Sequence, residues 1–502
     1  MNVNPITRLD YPDPDVIRVE DTYYMVSTTM HFMPGCEILQ SFDLVHWEHV
    51  TYVYETLDHT DAQQLKSGQN IYGQGMWAAS LRYHEGRFCI CFVANDTRKT
   101  YLYTSEKIDG PWKKQLIEGF YHDGSLLFDE DGRNYIVYGN DEIWITELNE
   151  DLTAPKKDGL HRLLVSDHKN PELGYEGSHI QKINGYYYIF LVHSLRDRWM
   201  RTEACFYSDS LEGEFTGGDV LCDDRGYCGQ GVAQGGIVDT PDGKWYAMLF
   251  QDSGAVGRIP ILLPVTWKDH FPFFGQNGHV PEEIEVHSTR PGYIYQPLVG
   301  SDDFCNGLLP RWQFNHDPDP RYYHLDALQG TYTITTREVC TELTQAVNTL
   351  TQRMSYPSCA AEVTVDASAL KEGDVAGLCA LQSCYAAVGI TKHHGKYEVL
   401  MLDKKEDGIL DMTEGTVVES HQMDFRLEAD FCNMKDEARC YYRVNKGDWL
   451  PIGTVHKLYF KLDHFTGCRF GLFCYAAEET GGSACFRDFK YYDTTVNEEQ
   501  VK

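Results

Sequence analysis

A pattern repeated five times within the first 300 residues constrains the fold of this chain more than any other feature. In each copy, small or apolar residues lead into a two-residue turn, and an aromatic strand follows the turn. The copies span residues 13–24, 77–88, 123–135, 176–188 and 234–245. Asn-Gly and Asp-Gly are favoured in two-residue hairpin turns, because both central positions need positive φ. Three copies carry one of these pairs, a fourth has Glu85-Gly86, and Glu20-Asp21 is the weak member.

The spacing of the turns indicates how much structure each repeat contains. Successive turns are roughly 45 to 65 residues apart, which leaves room for a four-stranded sheet in every repeat. Sheets of this size, repeated around an axis, are the blades of a β-propeller. The sequence therefore predicts an all-β domain of five blades over residues 1–300.

The first residue of each copy occupies an equivalent position, at the start of the innermost strand of its blade. These five residues are Asp13, Trp77, Asp123, Glu176 and Gln234. We expect them to form a ring at one mouth of the propeller axis. Three of the five are carboxylates, and they precede the turn by seven or eight residues, where small or apolar residues are usual.

Three converging carboxylates suit the hydrolysis of a glycosidic bond. That reaction needs one protonated carboxyl for the leaving oxygen and one ionised carboxylate to activate water or attack the anomeric carbon. Mutual repulsion and partial burial raise the pKa of one member, and a third carboxylate orients its neighbours. Trp77 adds an aromatic face for the C–H groups of a sugar, with packing beneath the blade as the alternative role.

Three short segments surround the three carboxylates. They are Tyr-Pro-Asp-Pro-Asp at 11–15, His-Asp-Gly-Ser at 122–125 and Tyr-Glu-Gly-Ser-His at 175–179. In this order they resemble the signature blades of glycoside hydrolase family 43, and residues 32–47 resemble the first-blade sequence of that family. The resemblance implies an inverting reaction with Asp13 as general base, Glu176 as general acid and Asp123 as the residue that tunes the acid. Inversion predicts about 6.5 to 9.5 Å between the carboxyls of the acid and the base.

The same resemblance implies further contacts with the substrate. Arg258 matches an arginine with which exo-acting members hold a terminal sugar, and bracing the acids is its alternative role. Phe32 matches the aromatic side of that subsite, and loop packing is its alternative role. Asp15 competes with Asp13 as the base, but only Asp13 matches both the family motif and the register of the repeat.

The fifth repeat departs from the family. Many members place a histidine on the propeller axis, where it helps to organise calcium, whereas this chain has Gln234. An amide oxygen suits calcium, but it is neutral and does not couple to the acids. We therefore expect an enzyme that requires no cofactor, and the sequence leaves calcium on the axis open. His179 is a further candidate for the pocket.

Past residue 300 the repeat ends and short alternating strands begin. Examples are residues 332–335, 361–365, 397–402 and 458–462. Such spacing is typical of an antiparallel β-sandwich, which we place at residues 301–502. This region, including residues 348–353, resembles the C-terminal sandwich of exo-acting xylosidases and arabinofuranosidases of the family. In those relatives a sandwich loop closes one side of the pocket, so that only a chain end enters.

The formal charge of −31 bears on the partners of the chain. It would repel nucleic acid phosphates and anionic lipid headgroups, so neither a nucleic acid nor a membrane is expected as a partner. No apolar run approaches the ~20 residues that span a bilayer, and the N-terminus lacks an apolar signal segment. These features predict a cytoplasmic protein with sixteen reduced, mostly buried cysteines. Whether copies assemble into a homo-oligomer stays open.

The sequence thus predicts an exo-acting glycoside hydrolase whose partner is an oligosaccharide. The expected products are terminal β-D-xylose, α-L-arabinofuranose or both, released from plant-derived arabinoxylo-oligosaccharides. One alternative is an endo-arabinanase with an open cleft, against which the sandwich domain argues. The other is a non-catalytic carbohydrate-binding propeller, which would not need an acid and a base together.

Overall fold

The structure, a computed structural model, describes residues 3–167, 169–413 and 415–493. Within these ranges the regular elements are β-strands and four single turns of 3₁₀ helix, at Lys66–Gly68, Gly254–Val256, Leu343–Gln345 and Cys432–Met434. None of the helices in these ranges has the length and the apolar character that a membrane crossing requires.

The first domain consists of five four-stranded antiparallel sheets, each built from one continuous stretch of chain. Blade one contains β1 (Asp15–Val19), β2 (Thr22–Val26), β4 (Gly35–Ser41) and β5 (Glu48–Tyr54), and β3 (Phe32–Met33) lies outside it. Blade two contains β6 (Met76–His84), β7 (Arg87–Ala94), β8 (Lys99–Ser105) and β9 (Lys113–Ile117). Blade three contains β10 (Ser125–Phe128), β11 (Asn134–Asn140), β12 (Glu142–Leu148) and β13 (His161–Ser166).

The remaining blades follow the same order. Blade four contains β14 (Glu176–Ile183), β15 (Tyr186–Ser194), β16 (Arg201–Ser208) and β17 (Thr216–Leu221). Blade five contains β18 (Ala233–Asp239), β19 (Trp245–Asp252), β20 (Arg258–Lys268) and β21 (Phe271–Phe274). The predicted five-bladed propeller is therefore confirmed.

The repeated turns join the two innermost strands of each blade, as their chemistry predicts. In blade four, Asn184 and Gly185 have φ of 50° and 85°, the positive values that a two-residue hairpin needs. The weak turn of blade one has no glycine, and Glu20 itself takes a φ of 56° there. Turn chemistry thus identified four of the hairpins, and the position of Glu20-Asp21 in the repeat identified the fifth.

Side chains on the axis tie the inner strands of neighbouring blades together. The Asp15 carboxylate accepts a hydrogen bond of 2.7 Å from the backbone N–H of Leu81 in blade two. The Ser125 hydroxyl accepts one of 3.0 Å from the backbone N–H of Ile180 in blade four. Arg82 donates to both side chains, at 2.7 Å to Asp15 and 2.8 Å to Ser125. This buried network fixes the ring of blades and therefore the positions of the residues at its mouth.

The second domain is a sandwich of two antiparallel sheets, as predicted. One sheet has nine strands: β3, β22 (Gln313–Asn315), β25 (Leu350–Arg353), β35 (Arg469–Tyr475), β27 (Val375–Leu381), β28 (Ala386–His393), β29 (Lys396–Lys404), β30 (Leu410–Met412) and β31 (Thr416–Val418). The other has seven: β23 (Tyr323–Asp326), β24 (Thr331–Thr335), β36 (Ser483–Asp493), β26 (Ser358–Asp366), β32 (Gln422–Asp430), β33 (Glu437–Val444) and β34 (Leu450–Lys457).

One predicted sandwich strand is wrong. Residues 458–462 form no strand but begin the irregular segment that connects β34 to β35. Their alternating pattern resembles a strand, yet the side chain of Leu462 is largely exposed and Phe460 lines a cavity between the domains. Leu458 at the start of the segment still packs in the sandwich core, but Phe460 and Leu462 face the cavity at the neighbouring domain.

The two domains share a β-sheet. Although β3 belongs to the propeller part of the sequence, it pairs with β22 of the sandwich, with Met33 opposite Phe314 and Phe32 opposite Asn315. Close to this junction, Arg353 forms an ion pair of 2.8 Å with Glu37, and both side chains are buried. Shared main-chain hydrogen bonds and a buried ion pair hold the sandwich at one side of the propeller mouth.

Candidate active site

A cavity of about 870 Å³ lies where the mouth of the propeller meets the sandwich. All five residues that open the repeats line it, namely Asp13, Trp77, Asp123, Glu176 and Gln234. The sandwich adds a wall of Met434, Phe460, Leu462 and Phe465. The predicted ring therefore exists, and the second domain covers part of it.

Local backbone irregularities turn the ring residues towards the cavity. Asp13 and Asp123 precede their inner strands by two residues and take left-handed φ of 53° and 47°. Trp77, Glu176 and Gln234 lie at register shifts between the two innermost strands of their blades. A β-bulge re-aims a side chain in this way, and bulges are frequent beside active sites.

Asp13 is a buried carboxylate held by two donors. Nη1 of Arg258 donates to Oδ1 at 3.0 Å, and the hydroxyl of Thr28 donates to Oδ2 at 2.7 Å. The guanidinium forms an ion pair with the carboxylate, and the two bonds fix the orientation of Asp13 in the cavity. This arrangement suits a general base that must hold a water molecule in one place.

The competing acid, Asp15, lies outside the cavity. Its side chain is fully buried on the axis, with Oδ2 bound by Arg82 at 2.7 Å and Oδ1 by His179 at 3.1 Å. Burial would raise the pKa of Asp15, but Arg82 and His179 together lower it. Asp15 is thus a structural link between blades, and the preference for Asp13 agrees with the geometry.

Asp123 and Glu176 face each other across His122. Nε2 of His122 is 3.5 Å from Oδ2 of Asp123 and 3.6 Å from Oε2 of Glu176. The backbone N–H of Gly177 donates to Asp123 at 3.0 Å, and Nδ2 of Asn140 donates to Glu176 at 2.6 Å. Glu176 is the more open of the two, with 21% of its side chain exposed to solvent.

This proximity changes the protonation of the group. Burial raises the pKa of Asp123 to about 6, His122 opposes the shift, and Glu176 and Asp13 add to it. Burial disfavours the charged form of His122, yet Asp123, Glu176 and Asp13 outweigh burial and raise its pKa to about 9. The pKa values of His122 and Asp123 are thus both raised, that of His122 by the neighbouring acids and that of Asp123 by burial.

His122 lies within the His-Asp-Gly-Ser motif, but the motif alone does not predict its role. Its signal was its position directly before Asp123, in the second of the three segments. Asn140 and Thr28 were missed as well, because they lie on other strands or loops and approach the acids only in the folded chain. Asn140 is the last residue of β11, and no short motif marks it.

A second layer of charge lies behind Arg258. Arg201 forms an ion pair with Asp252, and Nε of Arg258 lies 3.4 Å from the other oxygen of Asp252. Burial and the charge of Arg258 lower the pKa of Arg201 to about 9. The ring of Phe465 lies 4.2 Å from the Arg258 guanidinium, so an aromatic side chain of the sandwich covers this corner.

Two of the predicted substrate-binding residues do not line the cavity. Phe32 is 2% exposed, because β3 pairs with the sandwich and the guanidinium of Arg469 lies 3.4 Å over its ring. His179 follows the bulge of β14, which turns its ring to the axis, where it binds Asp15. Trp77 does line the cavity, with its ring 5.6 Å from that of His122.

The described residues do not fit calcium on the axis. Calcium takes about six to eight oxygen ligands, whereas Arg82 already supplies the positive charge beside Asp15. The backbone N–H of Gln234 donates to Glu203, and burial raises the pKa of Glu203 well above its ordinary value, which makes it a poor ligand. His122, Asp123 and Glu176 offer ligand atoms within 4.8 Å of one another, but they lie among the catalytic carboxylates and supply only three ligand atoms.

Family comparisons cover both domains. The model of glycosyl hydrolases family 43 matches residues 3–272, and that of the beta xylosidase C-terminal concanavalin A-like domain matches residues 301–492. A beta-xylosidase of Formosa agariphila is 26% identical over 541 residues, covering 96% of this chain and 88% of that protein. A non-reducing end alpha-L-arabinofuranosidase of Bacteroides ovatus is 24% identical over 432 residues, covering 82% of this chain and 79% of that protein.

Solved structures agree with this assignment. A bifunctional GH43-CE protein of Bacteroides eggerthii is 42% identical with a TM-score of 0.92, and the match covers 98% of this chain and 64% of that one. An engineered GH43 enzyme with endo-xylanase and exo-arabinofuranosidase activity is 27% identical with a TM-score of 0.85, covering 98% of this chain and 99% of that one. The catalytic-domain match, the five blades and the acid cluster lead to one conclusion: the chain is a glycoside hydrolase and belongs to glycosyl hydrolases family 43.

Proposed function

We propose that this family 43 hydrolase releases terminal β-D-xylose, α-L-arabinofuranose or both from plant-derived oligosaccharides, with inversion at the anomeric carbon. The observation that carries the proposal is the convergence of Asp13, Asp123 and Glu176 in one cavity that the sandwich partly closes. A wall on one side favours the entry of a chain end over the passage of a continuous chain.

The convergence of these carboxylates supports a single displacement. Asp13 takes a proton from a water molecule while the water oxygen bonds to the anomeric carbon. Glu176 gives a proton to the leaving oxygen as its bond to the anomeric carbon breaks. Asp123 and His122 form the electrostatic environment that controls the protonation of Glu176. Arg258 binds hydroxyls of the terminal sugar beside Asp13.

The relatives support a pentose as the substrate. The protein of Formosa agariphila bears the name beta-xylosidase, and that of Bacteroides ovatus the name non-reducing end alpha-L-arabinofuranosidase. An endo-arabinanase would need a cleft open at both ends, and the wall formed by Phe460, Leu462 and Phe465 argues against it. A binding propeller would not need the base and the acid together.

The decisive experiment measures initial rates on an aryl β-D-xylopyranoside and an aryl α-L-arabinofuranoside, with Asp13→Ala as the blank. Activity on either substrate that disappears in the variant, with pentose as the sole early product from an oligosaccharide, supports the proposal. Internal fragments as early products would indicate endo action, and binding without turnover would indicate a carbohydrate-binding role. The anomer that proton NMR detects first tests inversion: a β-xyloside should yield α-xylose.

A further inference from the structure

One arginine in the cavity has no part in the chemistry. Arg98 and Phe120 line the rim in and after blade two, whereas Arg258 belongs to blade five and Asp13 to blade one. In a ring of five blades, the junction of blades two and three lies across the axis from blade five. Since Arg258 and Asp13 mark the end that holds the terminal sugar, Arg98 lies on the side of the leaving group.

The hydrogen-bonding groups of Arg98 are unused, unlike those of the other arginines of the cavity. Arg258 pairs with Asp13, and Arg201 pairs with Asp252. Across residues 3–167, 169–413 and 415–493, no carboxylate forms an ion pair with Arg98, and its side chain has no hydrogen-bond partner.

Two acids near Arg98 are engaged elsewhere: Asp96, two residues before it, and Asp58, which binds the residue after it. Asp96 accepts a hydrogen bond of 2.7 Å from the side chain of Gln63. Asp58 binds Lys99 and Lys114, each at 2.6 Å. The charge of Arg98 is therefore not neutralised by its own surroundings.

The fold holds Arg98 in place although its side chain is exposed. Its backbone N–H donates to the carbonyl of Ala94 at 3.0 Å, and the neighbouring Asn95 N–H donates to Gly75 at 3.2 Å. The guanidinium lies 4.0 Å from the centroid of the Phe120 ring. This stacking leaves the edge of the guanidinium, which carries its N–H groups, free to receive a ligand.

The cavity has room for such a ligand. Its volume of about 870 Å³ lies near the upper end of the range for pockets that hold drug-sized molecules, and a single pentose is far smaller. Trp199, with 44% of its surface exposed, adds an aromatic side chain from blade four to the same rim. A second sugar unit therefore fits beyond the scissile bond.

From these observations we infer that Arg98, stacked on Phe120, binds the carboxylate of a uronic acid substituent carried by the sugar unit next to the released pentose. The planar fork of a guanidinium matches a carboxylate with two parallel hydrogen bonds. A chain of net charge −31 repels anions in general, so an acidic substrate needs a local cation of this kind. The inference rests on the proposed release of a terminal pentose.

The test compares two substrates that differ in one group. One is xylotriose, and the other is the same trisaccharide with glucuronic acid on the xylose next to the non-reducing end. Release of terminal xylose gives kcat/KM for each with the intact chain, Arg98→Gln, Arg98→Lys and Arg87→Gln. Arg87 is an exposed arginine of blade two outside the cavity, and its replacement should change neither rate.

We expect Arg98→Gln to lower the ratio of acidic to neutral kcat/KM roughly tenfold, the size of one charge-assisted interaction. The ratio for Arg98→Lys should lie between those of the intact chain and Arg98→Gln, because lysine keeps the charge without the planar fork. Added salt should reduce the preference of the intact chain for the acidic substrate. An unchanged ratio in Arg98→Gln would overturn the inference while leaving the proposed function in place. Failure to release xylose from both substrates would also overturn the inference. Only failure on an aryl α-L-arabinofuranoside as well would overturn the proposed function itself.

Discussion

Asp13 and Glu176 differ in the contacts that suit each to its role. Asp13 is buried and accepts from Arg258 and Thr28, which leaves it ready to take a proton. Glu176 is partly open, accepts from Asn140 and lies beside His122, so it can reach the oxygen of a leaving group of variable size. The two residues should therefore respond differently to the quality of the leaving group.

Removal of the acid should matter less when the leaving group needs no proton. We expect Glu176→Ala to lower kcat/KM by at least ~10²-fold on xylobiose, and by much less on a dinitrophenyl pentoside whose leaving phenolate is stable. Asp13→Ala should lower both rates to a similar degree, because both substrates require an activated water. Paired kinetics on the two substrates check this assignment, and equal losses in Glu176→Ala would exclude Glu176 as the acid.

At the scale of elements, three chain segments meet at Asp10. Its buried carboxylate accepts from the backbone N–H of Arg258 at 2.8 Å, at the start of β20, and from that of Gly467 at 2.7 Å, before β35. A side chain at Gly257, whose φ is 104°, would collide with the same carboxylate. Asp10 therefore sets the distance between Arg258 and the sandwich segment that carries Phe465.

Asp10→Asn should loosen this junction and weaken the binding of the terminal sugar. An amide presents one acceptor and one donor, so one of the two N–H groups loses its partner, at a cost of about 1–3 kcal/mol. We expect kcat/KM on an aryl pentoside to fall roughly tenfold, mainly through KM.

Asp302→Asn is the matched control for Asp10→Asn. Asp302 is an equally buried carboxylate that also accepts two N–H groups, from Phe304 and Trp312, each at 2.8 Å, away from the cavity. The Asp302→Asn substitution should lower the thermal midpoint of unfolding and leave KM unchanged. The same KM change in both variants would show that Asp10 acts only through general stability.

At the scale of the whole molecule, the interface between the domains contains three buried histidines. The ring of His31 in the propeller segment lies 4.8 Å from that of His316 and 5.7 Å from that of His464 in the sandwich. Burial lowers the pKa of His31 and His316 well below the ordinary value, and that of His464 to about 4. The folded chain therefore keeps all three neutral.

The stability of the chain should depend on pH through these histidines. Unfolded histidines titrate near 6.5, so below that pH the unfolded chain binds more protons than the folded one. The free energy of unfolding should therefore keep the full contribution of these histidines above about pH 6.5. It should decrease as the pH falls from there towards 4. Urea unfolding at several pH values measures this slope.

A variant separates this effect from the titration of carboxylates. His464→Gln should give a shallower dependence on pH than the intact chain, because it removes one of the buried groups. His287→Gln, which changes a histidine whose side chain is 64% exposed, should keep the original slope. Identical slopes in all three proteins would contradict a role for the interface histidines.

The predictions that the structure confirms rest mostly on local features, in which the residues concerned are close together in the chain. The turns and the period of the repeat are local features, and they identified five blades and the five residues at their openings, all of which line the cavity. The carboxylates Asp13, Asp123 and Glu176 were recognisable for the same reason, since each lies in a short motif at one register of the repeat.

Contacts between distant segments were decided only by the tertiary structure. Phe32 does not line the predicted subsite, because its two-residue strand pairs with a sandwich strand almost 300 residues away. His179 turned to the axis because a bulge shifts the register of β14 against β15. Residues 458–462 have the pattern of a strand but form an irregular segment, in which Leu458 packs in the sandwich core whereas Phe460 and Leu462 line the cavity that the propeller completes. A local pattern contains no information about which distant surface will oppose it.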